Sequence, residues 1–167
     1  MLDGIRVLDL KRLPDERGSF TEIMRADWND FLDGEKPLQT NLSFSFPGMI
    51  RAWHRHERGQ VDYYIAFKGS IKFCAFDETT GELDEVVVSS DRLQLVRIPG
   101  KYWHGNKTVG SEPSVAVYFV SKLYDANNPD EGRRPWNDST IVPKSVNGKT
   151  NDPRVGKSWD WFASPHK

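Results

Sequence analysis

Residues 48 to 64 read GMIRAWHRHERGQVDYY and hold an arginine, two histidines one residue apart, a glutamine and an aspartate. Side chains alternate faces along a strand, so His54, His56, Gln60 and Asp62 fall on a common parity if the chain stays extended through Gly59. A third histidine, His104, follows Pro99 and Gly100 further along. Two kinds of chemistry fit this set. Three neutral imidazoles and one carbonyl oxygen, from His54, His56, His104 and Gln60, make a donor set for Fe, Mn, Ni or Zn. Alternatively, His54 removes a proton next to a carbonyl, Arg51 or His104 sits by the enolate oxygen, and Tyr118 is the acid that returns a proton. Strict alternation sets Arg51 and His54 on opposite faces, so a shared site needs a bulge near Ala52, or else Arg51 works elsewhere.

The elements that must position these residues are mostly strands. From residue 38 onward the signals LQTNLSFSF, MIRAWHRH, VDYYIAF, SIKFCAF, EVVVSS, LQLVRI and SVAVYFV recur, punctuated by turns such as FKGS, DETTGE and RIPGK. The pattern predicts an all-β sandwich or jelly roll with one or two short helices. In LQTNLSFSF, Gln39, Asn41, Ser43 and Ser45 share one face, while Thr40, Leu42, Phe44 and Phe46 share the other. That uncharged polar row is either a solvated outer face over a core holding Phe44 and Phe46, or the lining of a sugar-binding barrel mouth. Upstream, GIRVLDLKRL opens as a strand and PDERGS turns. ADWNDFLDG is the best helix candidate, with Asp27 as cap and Gly34 as stop. After Asp125 the chain becomes polar and rich in Pro, Asn and Gly, which predicts a tail wrapped around the outside.

The 167 residues are expected to form a single all-β domain over 1–167, with N-terminal strands in 1–25, a barrel over about 38–122 and the tail over 123–167. Lys and Arg number 23 against 24 Asp and Glu, and the net charge of −1 gives no field to attract nucleic acid or an anionic membrane. An anionic ligand must therefore be held by local arginines. Cys74 stands alone in IKFCAFD, so there is no disulfide framework or thiolate zinc site, and a small buried thiol is expected. The chain has no run of about 18 apolar residues and no apolar signal core at its N-terminus, so a soluble cytoplasmic protein is expected.

Six motifs in order make the chain similar to the dTDP-4-dehydrorhamnose 3,5-epimerases, cupin-type jelly-roll enzymes acting on nucleotide-linked 4-keto-6-deoxy sugars. They are DERGSFTE at 15–22, QTNLSFS at 39–45, GMIRAWH at 48–54, GQVDYYIAFKG at 59–69, IPGKYWHG at 98–105 and VYFVSKLYDANNPDEGRRPWND at 117–138. The resemblance implies that His54 is the general base and that Tyr118 protonates the opposite face. It sets Arg51 and His104 by the sugar, or Arg51 by the phosphates. Arg17, Phe20 and Glu22 match a segment that in the family crosses a dimer to hold the nucleotide, and Gln39, Asn41 and Tyr124 match further ligand contacts. Asp152 in KTNDPR is the implied counterpart of the aspartate that orients the histidine, with Asp138 as its competitor. The resemblance further implies no metal, no cofactor and a homodimer. An N-terminal strand free to pair with a partner and the aromatic tail WDWF agree with dimerisation.

The departures are specific. The family reads H-x-Q where this chain has His54-Arg55-His56, and Q-x-K where it has Gln60-Val61-Asp62. The lysine assists at the enolate, whereas a dry aspartate there would oppose enolate formation by several kcal/mol. Asp62 is left to pair with Arg51 or His56, or to join Gln60 in contacting the substrate. FDETTG at 76–81 also replaces the family's VDLR-like strand and its arginine. Three other readings stay open: an epimerase of one centre or another sugar, a metal-dependent cupin using His54, His56, Gln60 and His104, and a non-catalytic sugar-nucleotide binder. The second rests on the spacing Gly48-x5-His54-x-His56-x3-Gln60, which approximates the metal motif of the cupin superfamily.

Overall fold

The structure is a computed structural model that describes residues 1–163. Its elements in chain order begin with β1 (Arg6–Asp9), β2 (Leu13–Asp15), β3 (Gly18–Phe20), a helical turn α1 (Asn29–Leu32), β4 (Gln39–Ser45), β5 (Ile50–Arg55) and β6 (Val61–Lys68). They continue with β7 (Ser70–Phe76), β8 (Glu82–Ser89), β9 (Gln94–Pro99), β10 (Trp103–Val109), β11 (Ser114–Val120), β12 (Gly132–Arg133) and β13 (Ser145–Val146). Beside the small β2-β3 hairpin there are two large sheets, one of order β1-β9-β6-β11-β4 and the other β12-β5-β10-β7-β8-β13. Strands distant in sequence are neighbours in both, as in a jelly roll, so the expected all-β class holds. The seven strand signals all form strands. An eighth, β10, lies outside them because Gly105, Asn106 and Lys107 are poor strand formers. It is nevertheless central, paired with β7 from Trp103↔Phe76 to Val109↔Ser70.

The period of two along each strand decides which layer each residue enters. Tyr64, Ala66, Val96 and Ala116 of one sheet meet Ile71, Phe73, Ala75 and Val88 of the other in the inner core. Full burial of each large side chain there contributes about 1.5–3 kcal/mol. The opposite parity of β6, Tyr63 and Ile65, packs outward against Phe31 and Leu32 of α1, so β6 is covered on both faces. Cys74 is buried as expected, and its apolar surroundings push the thiol upward in pKa.

Two expectations are corrected. The helix shrinks to Asn29–Leu32, with Trp28 at the N-cap and no side-chain cap, because the Asp27 carboxylate is held by Arg25 at 2.8 and 2.6 Å. The turn then ends through left-handed Asp33 (φ 58°) and Gly34 (φ 81°). The tail does wrap the outside, but it builds a core of its own. Ile141, Val146, Trp159 and Trp161 bury themselves against Trp53, Cys74, Phe76, Leu83 and Trp103 on the outer face of the six-stranded sheet. Trp159 and Trp161 are thus spent within their own chain and give no surface for dimerisation; residues 164–167 of the expected aromatic tail lie outside the described residues.

Candidate active site

A cavity of about 850 Å³ lies between the sheets, where polar side chains replace the apolar core. The five-stranded sheet contributes Gln39, Asn41 and Ser43 from β4, Asp62 and Tyr64 from β6, and Tyr118 from β11. The six-stranded sheet contributes Arg51 and His54 from β5 and Asn106 from β10, and Arg58, Tyr124, Asp130 and Arg133 are also among the lining residues. The polar row of β4 therefore lines the cavity. Its apolar row faces out instead of into a core, with Leu42 70% and Phe44 48% exposed.

Arg51 and His54 share the cavity because β5 carries an irregularity between them. His104 pairs with His54 and Asn106 with Arg51, so two steps on β10 match three on β5, and the Ala52–Trp53 peptide within this stretch is cis. This is the bulge that a shared site requires. Gly105 sits opposite it, and a Cβ there would lie 2.3 Å from Ala52 Cβ and 2.7 Å from Arg51 O, so only glycine lets the strands approach. Gly100 acts likewise beside His56, where a Cβ would meet His56 Cβ at 2.7 Å. The glycines of IPGKYWHG are thus spacers that let two histidine-bearing segments close on each other.

Asp62 is the centre of the buried network. Gln60 Nε2 donates to its Oδ1 at 2.7 Å and Tyr64 Oη to its Oδ2 at 2.8 Å. His104 Nε2 stands 3.2 Å and His56 Nε2 3.6 Å from the same Oδ2. Each histidine is steered from behind: His104 Nδ1–H donates to Tyr102 O at 2.8 Å, and His56 Nδ1–H donates to the Asp130 carbonyl. The Asp130 carboxylate in turn accepts from the backbone of Glu57 and Arg58, both at 2.9 Å, so the tail clamps the turn after β5. Of the partners open to Asp62 from sequence, His56 is found and Arg51 is not. Arg51 instead donates to Ser45 Oγ at 3.0 Å and Phe44 O at 3.1 Å.

The charges follow from this packing. Burial alone would raise Asp62, yet the hydrogen bonds and charge of His104 and His56 hold its carboxyl far below the usual range. Burial disfavours a charged His56, but Asp62 outweighs it and the ring is shifted up. His54 goes the other way, held well below the ordinary imidazole value by burial and by the His104 ring 4.1 Å away. It is therefore kept neutral, with a lone pair to accept a proton. Tyr118, stacked on Tyr64 at 5.2 Å, is pushed up by burial and then by the Asp62 charge, so it retains a proton to give. His54 and Tyr118 reach the cavity from opposing sheets.

The other anticipated residues divide clearly. Gln39, Asn41 and Tyr124 meet at the cavity, where Gln39 donates to Asn41 Oδ1 at 2.8 Å and accepts from the Tyr124 amide at 2.9 Å. His104 is 1% exposed and stands behind His54. Asp152 is not brought to the cavity: it grips Arg154 at 2.9 and 3.0 Å on the tail side of the six-stranded sheet, where Arg154 also meets Glu85. Asp138 bonds Thr140 and is equally remote. The acidic neighbour of the histidines is Asp62. Arg17, Phe20 and Glu22 lie on or just after the β2–β3 hairpin, outside this chain's cavity, with Arg17 bonded to Asp15 and Phe20 63% exposed. Sequence reasoning passed over Tyr64 and Asp130. The first shares the parity of Asp62, whereas the second is tied in across 74 residues and had no local signal.

A jelly roll with a polar, histidine-lined cavity between its sheets defines a cupin-type protein. Residues 13–131 match the polysaccharide biosynthesis C-terminal domain family, and the chain belongs to that family. It is 40% identical over 141 residues to the probable low-salt glycan biosynthesis epimerase Agl13 of Haloferax volcanii, covering 81% of this chain and 88% of that protein. It is 36% identical over 146 residues to the spore coat polysaccharide biosynthesis protein SpsL of Bacillus subtilis, covering 84% and 94%. Among solved structures, the dTDP-6-deoxy-D-glucose-3,5-epimerase RmlC of Legionella pneumophila, in complex with dTDP-4-keto-L-rhamnose, matches with a TM-score of 0.73 and 21% identity. That match covers 95% of this chain and 80% of the other. The resemblance read from the motifs is borne out, in fold by the solved structure and in the epimerase class by the archaeal relative.

Proposed function

We propose that this protein epimerises a nucleotide-diphosphate 4-keto-6-deoxy sugar, dTDP-linked by default, in the biosynthesis of deoxysugars for cell-surface polysaccharides. The observation that carries the reading is that a neutral His54 and a protonated Tyr118 face one cavity from opposing sheets. His54 takes the proton from C3 or C5, and the electron pair of that C–H bond moves into the C4 carbonyl to make an enolate. Tyr118 then delivers its proton to the other face of the same carbon, and the carbonyl re-forms with inverted configuration. Positioned acid and base groups of this kind contribute about 10²–10⁴-fold each. Arg51, held by β4, is directed at the sugar or its diphosphate, with Arg58 and Arg133 as further cations of the lining. Gln39, Asn41 and Tyr124 contact the ligand through their polar groups.

The experiment is a screen of nucleotide 4-keto sugars in deuterated water. Uptake at C3, C5 or both, followed by mass spectrometry and NMR, is the expected result, and it also tells whether one centre or two are inverted. Ligand binding with no uptake on any keto sugar would leave a non-catalytic binder.

The reading includes a homodimer in which Arg17, Phe20 and Glu22 reach the nucleotide in the partner's cavity, since they do not line their own. The outward Leu42 and Phe44 of the edge strand β4 offer apolar area for such an assembly. A solution mass twice the 19.2 kDa of one chain is expected from light scattering, and a monomer would remove this part. No helix among the described residues is long and apolar enough to cross a membrane, and the proposed setting is the cytoplasm.

A further inference from the structure

We propose that Asn106 is a catalytic residue that the motifs do not mark: its side-chain amide donates N–H to the 4-keto oxygen of the substrate and holds the negative charge there as the enolate forms. The inference deepens the epimerase reading and rests on it for the chemistry, whereas the contact with the ketone depends on binding alone.

Removing a proton from C3 or C5 sends the electron pair of the C–H bond onto the oxygen at C4, so a donor is needed at that oxygen. Asp62 stands where the family pattern has a lysine, and its negative charge opposes the enolate. The two groups that sequence offers for the task are engaged elsewhere. His104 is 1% exposed, with Nδ1 on Tyr102 O and Nε2 facing Asp62. Arg51 reaches toward β4, where it donates to Ser45 Oγ and Phe44 O.

Asn106 lies in the middle of β10, paired with Arg51 of β5 on one side and Phe73 of β7 on the other. Its side chain is half-buried and lines the cavity. A central strand position favours β-branched or aromatic residues, and the paired Phe73 does enter the inner core. Asparagine is a poor choice there for packing. Among the described residues no hydrogen bond engages its amide, although polar groups drawn into a fold are ordinarily satisfied. A side chain that breaks the local rule and stays unpartnered within a cavity is one kept for a ligand.

The irregularity of β5 supplies the geometry. It sets His54 opposite His104 and Arg51 opposite Asn106, with His54, Arg51 and Asn106 all lining the cavity. Diagonal neighbours on such a ladder stand about 7–8 Å apart. That separation lets His54 approach the carbon to about 3–3.5 Å while Asn106 holds an oxygen two bonds away at about 2.7–3.1 Å. The positive charge of Arg51 draws the amide Oδ1 and leaves Nδ2–H for the ligand. Asn106 keeps both amide protons throughout. Its hydrogen bond tightens as charge builds on the oxygen and relaxes when Tyr118 returns a proton and the carbonyl re-forms.

The test is the rate of solvent-deuterium uptake into a nucleotide 4-keto sugar by the full chain. Asn106→Ala is expected to lower kcat about 10²–10³-fold with KM little changed, because the contact strengthens only as charge develops. Asn106→Asp, of the same shape but negatively charged, should fall below Asn106→Ala. Asn106→Val separates chemistry from folding: valine suits a central strand, so the thermal midpoint is expected at or above wild type while uptake falls as in Asn106→Ala. Uptake within about threefold of wild type in both the alanine and valine variants overturns the inference and leaves the epimerase reading standing. A rise in KM with kcat unchanged does the same, since it marks ground-state binding alone. If the wild-type chain takes up no deuterium from any keto sugar, the epimerase reading falls and binding decides the contact. Asn106→Ala is then expected to weaken binding of a dTDP-linked 4-keto-6-deoxy sugar about 2–10-fold and of its 4-deoxy counterpart not at all. Equal losses for the two ligands, or none, overturn the contact as well.

Discussion

His54→Ala is expected to cut solvent-deuterium uptake into the keto sugar about 10²–10⁴-fold while the fold survives. The strand there is held by backbone pairing with β10 and β12, His54↔His104 and Arg133↔His54, which does not use the imidazole. What the substitution removes is the one cavity-lining ring that burial and the His104 neighbour keep neutral. Tyr118→Phe makes a sharper companion. It retains the ring stacked 5.2 Å from Tyr64 and deletes only the hydroxyl. If His54 acts first, this variant still exchanges the substrate proton and returns deuterium without inversion, so uptake persists while epimerised product disappears. Uptake within about threefold of wild type in His54→Ala would assign the base elsewhere, with His56 the next candidate by position.

Trp161→Ala is expected to lower the thermal midpoint more than any change inside the cavity. The side chain is 1% exposed, packs 4.8 Å from Trp53 and donates its indole N–H to Trp136 O at 3.1 Å. Its backbone carbonyl accepts from Lys72 and Lys107, both at 3.0 Å, so the ring also anchors the acceptor for a buried ammonium. Truncating a buried tryptophan costs about 3–5 kcal/mol. For a chain of this size that is a fall of about 6–20 °C, readable by calorimetry. Because Trp53 precedes His54 on β5, the loss of its backing should also slow deuterium uptake, by less than His54→Ala does. A midpoint within about 2 °C of wild type would show that the tail is a passive wrap.

The two substitutions probe opposite faces of one strand. The outward side of β5 carries Trp53 into the tail core, and the bulge turns both Arg51 and His54 inward. That arrangement explains why a chain with an ordinary β pattern needs a glycine at 105. A period of two by itself would have put Arg51 outside.

The features legible in the sequence alone are those written at short range. Alternation marked the strands and the all-β class, the uncharged row Gln39, Asn41 and Ser43 offered a lined cavity as one of two readings, and the spacing of His54 and His56 marked that pair as a candidate for chemistry. Each of these depends on residues within a few positions of one another, where strand geometry fixes the relation between spacing and direction. The tertiary structure alone decided the remainder. It turned the polar row of β4 inward and left Leu42 and Phe44 outside, because the side of the sheet that is covered depends on the other sheet. It gave Asp62 its partners His56 and His104, the latter 42 residues away, and sent Asp152 to Arg154 instead of the site. It also brought Asp130 behind His56 from 74 residues along the chain. Contacts at such separations are set by how the sheets pack and how the tail returns over them, and no local pattern of side chains carries that information.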